Sequence, residues 1–359
     1  MNLRKDSWKK PIYFRRRDKG QDMTVSVDVA GKGGIKRFLA EQMRNIAPIF
    51  TLLALILFFS TQSPVFFSVA NALNIMGNAS ITGIIAVGLT FVILTAEIDL
   101  SVAAVANAIG ITMAFFTAQP DYVNIAYIAL PGGIAIILTL LAAFGLGSIT
   151  AFGVTRIGIP SFIMTLAMMQ IANGVSALLV RGQIAYEFPA LITMLGSGTV
   201  YGVRWSIIVC ILFFIVAHLV LTYTRFGRYV YMVGGNREAA EYSGVNVKRI
   251  IAAVMIICAL CSGIAGMLGV AYFGSAQQNG FDDFLLTAIA AVVVGGTSLF
   301  GGRGGIGNTI IGLLVLGVLN NGLDLINIDS FLKILIRGLI LLIALVINVY
   351  AQKLKEGAT

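Results

Sequence analysis

Ten apolar stretches follow one another through this chain, each near the roughly 20 residues needed to cross bilayer hydrocarbon, and they leave it little choice of fold. They lie at about 46–62, 73–95, 100–117, 125–152, 161–180, 205–223, 249–272, 284–300, 305–323 and 334–351. In lipid each segment has to satisfy its own backbone polar groups, so stretches of this length read as helices rather than as an open sheet. The 359 residues could hold two soluble domains, but 58% hydrophobic residues, 11% charged residues and a mean hydropathy of +0.92 are values of a polytopic membrane protein. The expected fold is therefore an all-α transmembrane bundle of about ten spans. The third, eighth and ninth spans carry the weakest signals.

Lysine and arginine set the orientation. With both termini in the cytoplasm, 21 of the 25 basic residues fall on that side, and only Arg181, Arg204, Lys333 and Arg337 fall on the other. This satisfies the positive-inside rule, and an odd number of spans after residue 248 would move Lys353 and Lys355 outside. The domain reading follows: a basic cytoplasmic tail at 1–45, a membrane domain at 46–351 with a cytoplasmic loop at 224–248, and a short cytoplasmic tail at 352–359. The net charge of +9 does not point to nucleic acid, because much of it lies in the first tail. There Arg15, Arg16 and Arg17 stand beside Trp8, Tyr13 and Phe14, a composition suited to anionic lipid headgroups. The first apolar run begins too late for a cleaved signal peptide and reads as the first span.

Residues 224–248 form a charged island between two long apolar runs. Gly234 and Gly235 break the preceding segment, Asn236 suits a helix N-cap, Glu238 lies in the first turn where the helix dipole favours an anion, and Gly244 supplies a stop. A helix of about two turns is marginal alone, so it needs a surface, and the small Ala239 and Ala240 would let another protein approach closely. The plainer alternative is a solvated loop.

Several patterns mimic chemistry. Cys258 and Cys261 have CxxC spacing, but no second pair accompanies them, and with Cys210 they read as free apolar cysteines; no metal site is expected. His218, the lone histidine, reads as a neutral hydrogen-bonded packing residue of the sixth span. Residues 302–307 match GxGxxG, with Asp324 near the distance of a ribose-binding acid, yet they are flanked by span material rather than βαβ units. The sequence offers no catalytic constellation and no phosphate-binding loop ending in Gly-Lys-Ser/Thr. An enzyme is not expected, and any nucleotide-driven step falls to a partner.

Two polar breaks interrupt the apolar pattern, at 95–101 and 295–305. Similar small-residue runs flank both, which suggests a weak internal repeat. A carboxylate costs about 2.5–3.5 kcal/mol at the bilayer centre, so Glu97 and Asp99 are expected at the cytoplasmic end of the second span. There Asp99, helped by Ser101, caps the next helix through the amides of residues 100–102. Together with Gly301, Gly302 and Arg303 they make a candidate inner turn or gate. The uncharged polar residues Asn78, Thr90, Asn107, Thr165, Gln170, Asn173, Asn308, Asn320 and Asn321 are the candidate solute path, their amides and hydroxyls suiting a neutral polyhydroxyl solute. Ordinary interhelical hydrogen bonds are the competing role.

The island at 226–247, FGRYVYMVGGNREAAEYSGVNV, resembles the cytoplasmic loop of permease subunits of bacterial ABC sugar importers of the ribose/xylose class. AEIDLSV at 96–102, IPSFIMTL at 159–166 and GGTSLFGG at 295–302 match in order, and the likeness spans roughly 71–345. The resemblance implies a non-catalytic inner-membrane subunit without a cofactor of its own. An ABC ATPase, carrying ATP and magnesium, binds the loop; a second permease copy or paralogue completes a dimer; a periplasmic binding protein delivers a small neutral sugar. It also implies that Asn236, Glu238, Ala239, Ala240 and Gly244 form a coupling helix, flanked by Arg228 and Arg237, within a loop that includes Gly234 and Gly235. The implied mechanism is alternating access. Two features depart from the family pattern: Ala103 stands where a glycine is usual, and the basic tail is long. A branched-chain amino acid permease of the same build and an ion-coupled secondary carrier are the alternatives.

Overall fold

The computed structural model describes residues 12–14, 25–27, 32–117, 128–186 and 188–356; Trp8, the arginines at 15–17 and the C-terminal residues 357–359 lie outside them. Thirteen α-helices run through these residues: α1 (Lys32–Gln62), α2 (Val69–Leu94), α3 (Val102–Thr117), α4 (Gly132–Phe152), α5 (Ser161–Val180), α6 (Ala190–Ser197), α7 (Trp205–Tyr223), α8 (Arg225–Gly235), α9 (Arg237–Tyr242), α10 (Val247–Phe273), α11 (Asp282–Val294), α12 (Ile306–Leu325) and α13 (Ser330–Glu356). A π-helical turn, Gly153–Ile157, extends α4. The strands are short clips: β1 (Ile12–Phe14) with β2 (Val25–Val27), β3 (Ala185–Tyr186) with β6 (Ser275–Ala276), and β4 (Thr199–Val200) with β5 (Val203–Arg204), all antiparallel. Among the described residues six helices are long and apolar enough to cross a membrane, and the molecule is an all-α polytopic membrane protein.

The helices approach through small residues, the usual solution where lipid removes the hydrophobic drive for helices to pair. α2 and α10 form the centre. They run antiparallel, with Gly88 against Cys258 and Cys261 and Gly77 near Tyr272. α3 runs parallel to α10, and a Cβ on Gly266 would strike the Ala106 carbonyl. Interhelical side-chain bonds are few and specific. Thr90 and Thr309 share a 2.7 Å hydroxyl contact between α2 and α12, and Asn71 and Asn321 exchange amide bonds of 2.9 and 2.8 Å. At the far end from α9, Lys333 pairs with Asp324 and Arg337 lies 3.6 Å from Asp283, tying α13 to α12 and α11.

The contacts of α3 with α10 set Val102 level with about Ser262, in the middle of the 27-residue α10. α3 therefore begins inside the bundle, and residues 97–101 climb to reach it. This corrects the expected position of Asp99: it is buried beside Cys258 rather than at the cytoplasmic end of α2. The cost of burial is met locally, because Asp99 Oδ1 accepts from the Ser101 amide (2.8 Å) and hydroxyl (2.6 Å). At the opposite end residues 274–281 turn back, so that Phe281 packs under Gly269. Their backbone is served by Asn107, whose amide donates to the Gln277 carbonyl (2.9 Å) and accepts from the Asn279 N–H (3.1 Å).

Span boundaries shift accordingly. α3 is two residues shorter than expected at its start, α11 stops at Val294 before two glycines, and α1 starts at Lys32, so residue 45 falls inside a helix. His218 is exposed on α7 instead of packed between helices, and the three cysteines are free and buried.

The two breaks share a terminator. After α2, Ala96 N–H bonds Ile93 O and Glu97 N–H bonds Val92 O; after α11, Gly296 N–H bonds Val293 O and Thr297 N–H bonds Val292 O. Both are Schellman closures with a left-handed residue, Ala96 at φ 59° and Gly296 at φ 102°. The same closure ends α9 at Gly244 and α12 at Asn327, so it is a common helix stop rather than a mark of the suggested repeat.

Candidate functional site

The charged island folds as two helices rather than one. Thr224 caps α8 by accepting from Gly227 N–H (3.1 Å), and Val230 and Val233 bury one side while Arg228 and Tyr229 stay exposed. Gly234 and Gly235 do not break this segment; they are its last turn. A side chain at Gly234 would collide with the Leu94 carbonyl, so the absence of a Cβ serves close approach to the end of α2. The chain breaks one residue later. Asn236 is extended and its side chain accepts from Ala239 N–H (3.0 Å), starting α9 with Glu238 in the first turn.

α9 is six residues long and closes on Gly244 at φ 81°, with Gly244 N–H bonding Glu241 O and Val245 N–H bonding Ala240 O. A helix this short needs a surface, and its own chain supplies one: Ala240 and Val245 are buried in the main core. Ala240 therefore does not belong to an outward small-residue face. The exposed side carries Arg237, Glu238, Ala239, Glu241 and Tyr242, the last 91% exposed.

Both polar breaks meet this element. Arg237, at the first turn of α9, ion-pairs with buried Glu97 and its guanidinium lies 3.5 Å from the Thr95 carbonyl. Gly302 N–H donates to Leu94 O (2.9 Å), and Gly301 lies against Ala96 and the Gly234 carbonyl. Tyr231 on α8 donates to the Gly304 carbonyl (2.9 Å). Burial pushes the Tyr231 phenol above its ordinary value, which keeps it a proton donor. Arg303 points outward from the same turn, whose Ser298 N–H bonds the Arg303 carbonyl (3.0 Å). Glu97, Gly301 and Gly302 thus stand together with Gly234, Gly235 and Arg237, whereas Asp99 and Ser101 lie deeper, at the start of α3.

The polar residues singled out in the spans do not line one surface. Thr90 is buried against Thr309, Asn308 donates to Gly295 O (2.8 Å), and Asn107 serves the returning loop. Thr165 is buried on the segment before α3, accepting from Leu100 N–H (3.2 Å). Gln170 is exposed and Asn173 half-buried on α5, with the Asn173 Oδ1 lacking a partner among the described residues. Asn78, Asn320 and Asn321 do converge. With Thr82, Thr287 and Asp324 they line a cavity of about 70 Å³ between α2, α11 and α12. Arg204 and Tyr272 extend this polar patch, since Arg204 donates to the Tyr272 hydroxyl, which donates to Asn78 (2.9 Å). The cavity is well below the 300–1,000 Å³ common for small-molecule pockets. Among the described residues no three His, Cys, Asp or Glu side chains gather as they would around a metal ion.

Ser161, Thr95 and Tyr231 take part in this architecture, and no motif in the sequence marks them individually. The spacing of Ser161 and Thr165, four apart at the start of a helix, was the available signal.

Comparison with known proteins places these features in a lineage. The model of the family described as "Branched-chain amino acid transport system / permease component" matches residues 71–345. The ribose import permease protein RbsC of Escherichia coli (strain K12) is 37% identical over 317 residues, covering 87% of this chain and 95% of that protein. RbsC of Bacillus subtilis (strain 168) is 36% identical, covering 85% and 93%. The D-allose transport system permease protein AlsC of E. coli (strain K12) is 32% identical, covering 83% and 90%. No solved structure matches the chain.

Proposed function

This chain belongs to the family described as the branched-chain amino acid transport system / permease component, and we propose that it carries a monosaccharide or related polyol by alternating access, with α9 as the helix that receives the ATPase stroke. It is the membrane subunit of a sugar ABC importer and lies in the inner membrane. Such permease components are non-catalytic, so ATP and its magnesium belong to the partner ATPase in this reading. The observation that carries it is the arrangement around α9. One side of the helix is exposed, while its base is joined through Arg237 and Glu97 to the turn after α2.

Arg228, Gly234, Gly235, Asn236, Arg237, Glu238, Ala239 and Gly244 form the coupling element, with Ala240 anchoring it. Glu97, Gly301, Gly302 and Arg303 make the inner turns that move with it, and Asp99 and Ser101 fix the start of α3. Ten spans with both termini cytoplasmic fit the basic residues and put α9 in the cytoplasm. Asn78, Asn320 and Asn321 offer amides to sugar hydroxyls. Their small cavity supports a path completed by a second permease copy, to which Gln170 and Asn173 on α5 contribute.

The relatives' names favour ribose over branched-chain amino acids, which the family description mentions. Uptake of labelled ribose, xylose, allose and leucine into proteoliposomes tests both. The expected result is uptake of a pentose or hexose that requires the ATPase, ATP and a periplasmic binding protein together. Leucine uptake under the same conditions would select the amino acid reading, and uptake by the chain alone, driven by an ion gradient, would overturn the importer.

A further inference from the structure

Residues 97–101 are neither helix nor strand although they lie inside a helical bundle, and no strand lies alongside to pair with them. Two hydroxyls of α5 take that role. Ile98 N–H donates to Ser161 Oγ (3.3 Å), and Leu100 N–H donates to Thr165 Oγ1 (3.2 Å), which also lies 3.5 Å from the Ile98 carbonyl. Ser161 and Thr165 are buried, four residues apart on one face of the first turns of α5. One residue before this clip, Glu97 holds Arg237 of α9, and within it Asp99 holds Ser101 at the start of α3. α5 itself is lightly anchored: it packs chiefly on α3, and Ile163, Leu166, Gln170 and Ile171 are exposed.

We infer that residues 97–100 are a relay joining α9 to α5, with Glu97, Ser161 and Thr165 as its positioning residues. The amides of Ile98 and Leu100, two residues apart, meet hydroxyls four helical residues apart, about 6 Å of rise, against a chain reach of about 3.3–3.6 Å per residue, so a pull at Glu97 arrives at both with little slack. The hydroxyl pair passes it on to α5, which packs chiefly on α3. Thr165 then acts as a link in the mechanism rather than as a contact for solute. The inference rests on the reading of α9 as the coupling helix.

The test uses the full chain with its ATPase and binding protein in proteoliposomes and reads labelled ribose transported per ATP hydrolysed. Glu97→Gln and Thr165→Val are each expected to lower that ratio about fivefold or more, the range of a typical coupling free energy. Combining them should cost no more than the worse single change, because both cut the same link. Thr165→Ser and the exchange Glu97→Arg with Arg237→Glu are expected to return it to within about twofold of the unmodified chain, less than the fivefold loss that marks a cut link. A ratio unchanged in both single variants overturns the relay while leaving the importer reading intact. So does a Thr165→Ser variant as impaired as Thr165→Val, which would mean a packing role. Should Thr165→Val fail to assemble, Ser161→Ala and the charge exchange carry the same decision. ATP hydrolysis without ribose uptake in the unmodified complex, where other sugars also fail, overturns the parent reading and the relay with it.

Discussion

Ala96 holds φ 59° at the position where Gly296 and Gly244 close the equivalent turns. A side chain in that left-handed conformation costs about 1–2 kcal/mol, and glycine avoids the cost. Ala96→Gly is therefore expected to stabilise the purified protein by about 1 kcal/mol, read as a higher thermal midpoint. An unchanged or lower midpoint would mean that the Ala96 methyl, packed beside Gly301, contributes more than its backbone costs. Gly234 illustrates the opposite use of glycine. Its φ is unremarkable, and its value lies in the missing Cβ that lets α8 touch Leu94. From sequence alone both glycines of that pair look like helix breakers, because a close approach leaves no mark in the local pattern.

Among the helices, α9 is the one whose ends were most legible. Asn236, Glu238 and Gly244 each take the expected place, since cap chemistry acts within one turn of the backbone. Replacing Asn236 by Ala removes a cap worth about 1 kcal/mol, so the ATPase is expected to bind the membrane complex about fivefold more weakly, measured by titrated co-purification; Asn236→Asp should bind as the parent does. Equal binding by all three would separate α9 from ATPase docking. α8 was not legible as a helix because its charges and glycines mask the spacing of Val230 and Val233. The two short spans were equally hidden. Residues 100–117 and 284–300 read as continuous apolar runs, and hydropathy does not register that the backbone at 97–101 and 274–281 leaves helical geometry at depth. What betrays those places is the partner each one finds: Thr165 for the first, Asn107 for the second. From sequence alone both read as candidate solute contacts, the other role that a polar side chain in a span can play.

The molecule as a whole was readable in its class, because lipid imposes that constraint on every segment, and the distribution of its basic residues supplies the orientation to be tested. Topology is directly testable. The native cysteines are buried, so single cysteines at Tyr201, fully exposed between α6 and α7, and at Tyr242 on α9 report the two sides. An impermeant maleimide is expected to label Tyr201→Cys in intact cells and Tyr242→Cys only after permeabilisation; the reverse pattern would invert the orientation. How the helices interlock was not readable, because contacts such as Gly88 with Cys258 join residues 170 positions apart. That separation is also a delay. At a synthesis rate of about 5–20 residues per second, α2 and the buried segment that follows it enter the membrane roughly 10–30 seconds before α10 exists to cover them. For that interval the carboxyl of Asp99 has Ser101 but no surrounding bundle, and the growing chain is held together by neighbours that are not yet its final ones. The order in which its central helices are made thus sets how long the buried carboxyl waits for its final neighbours.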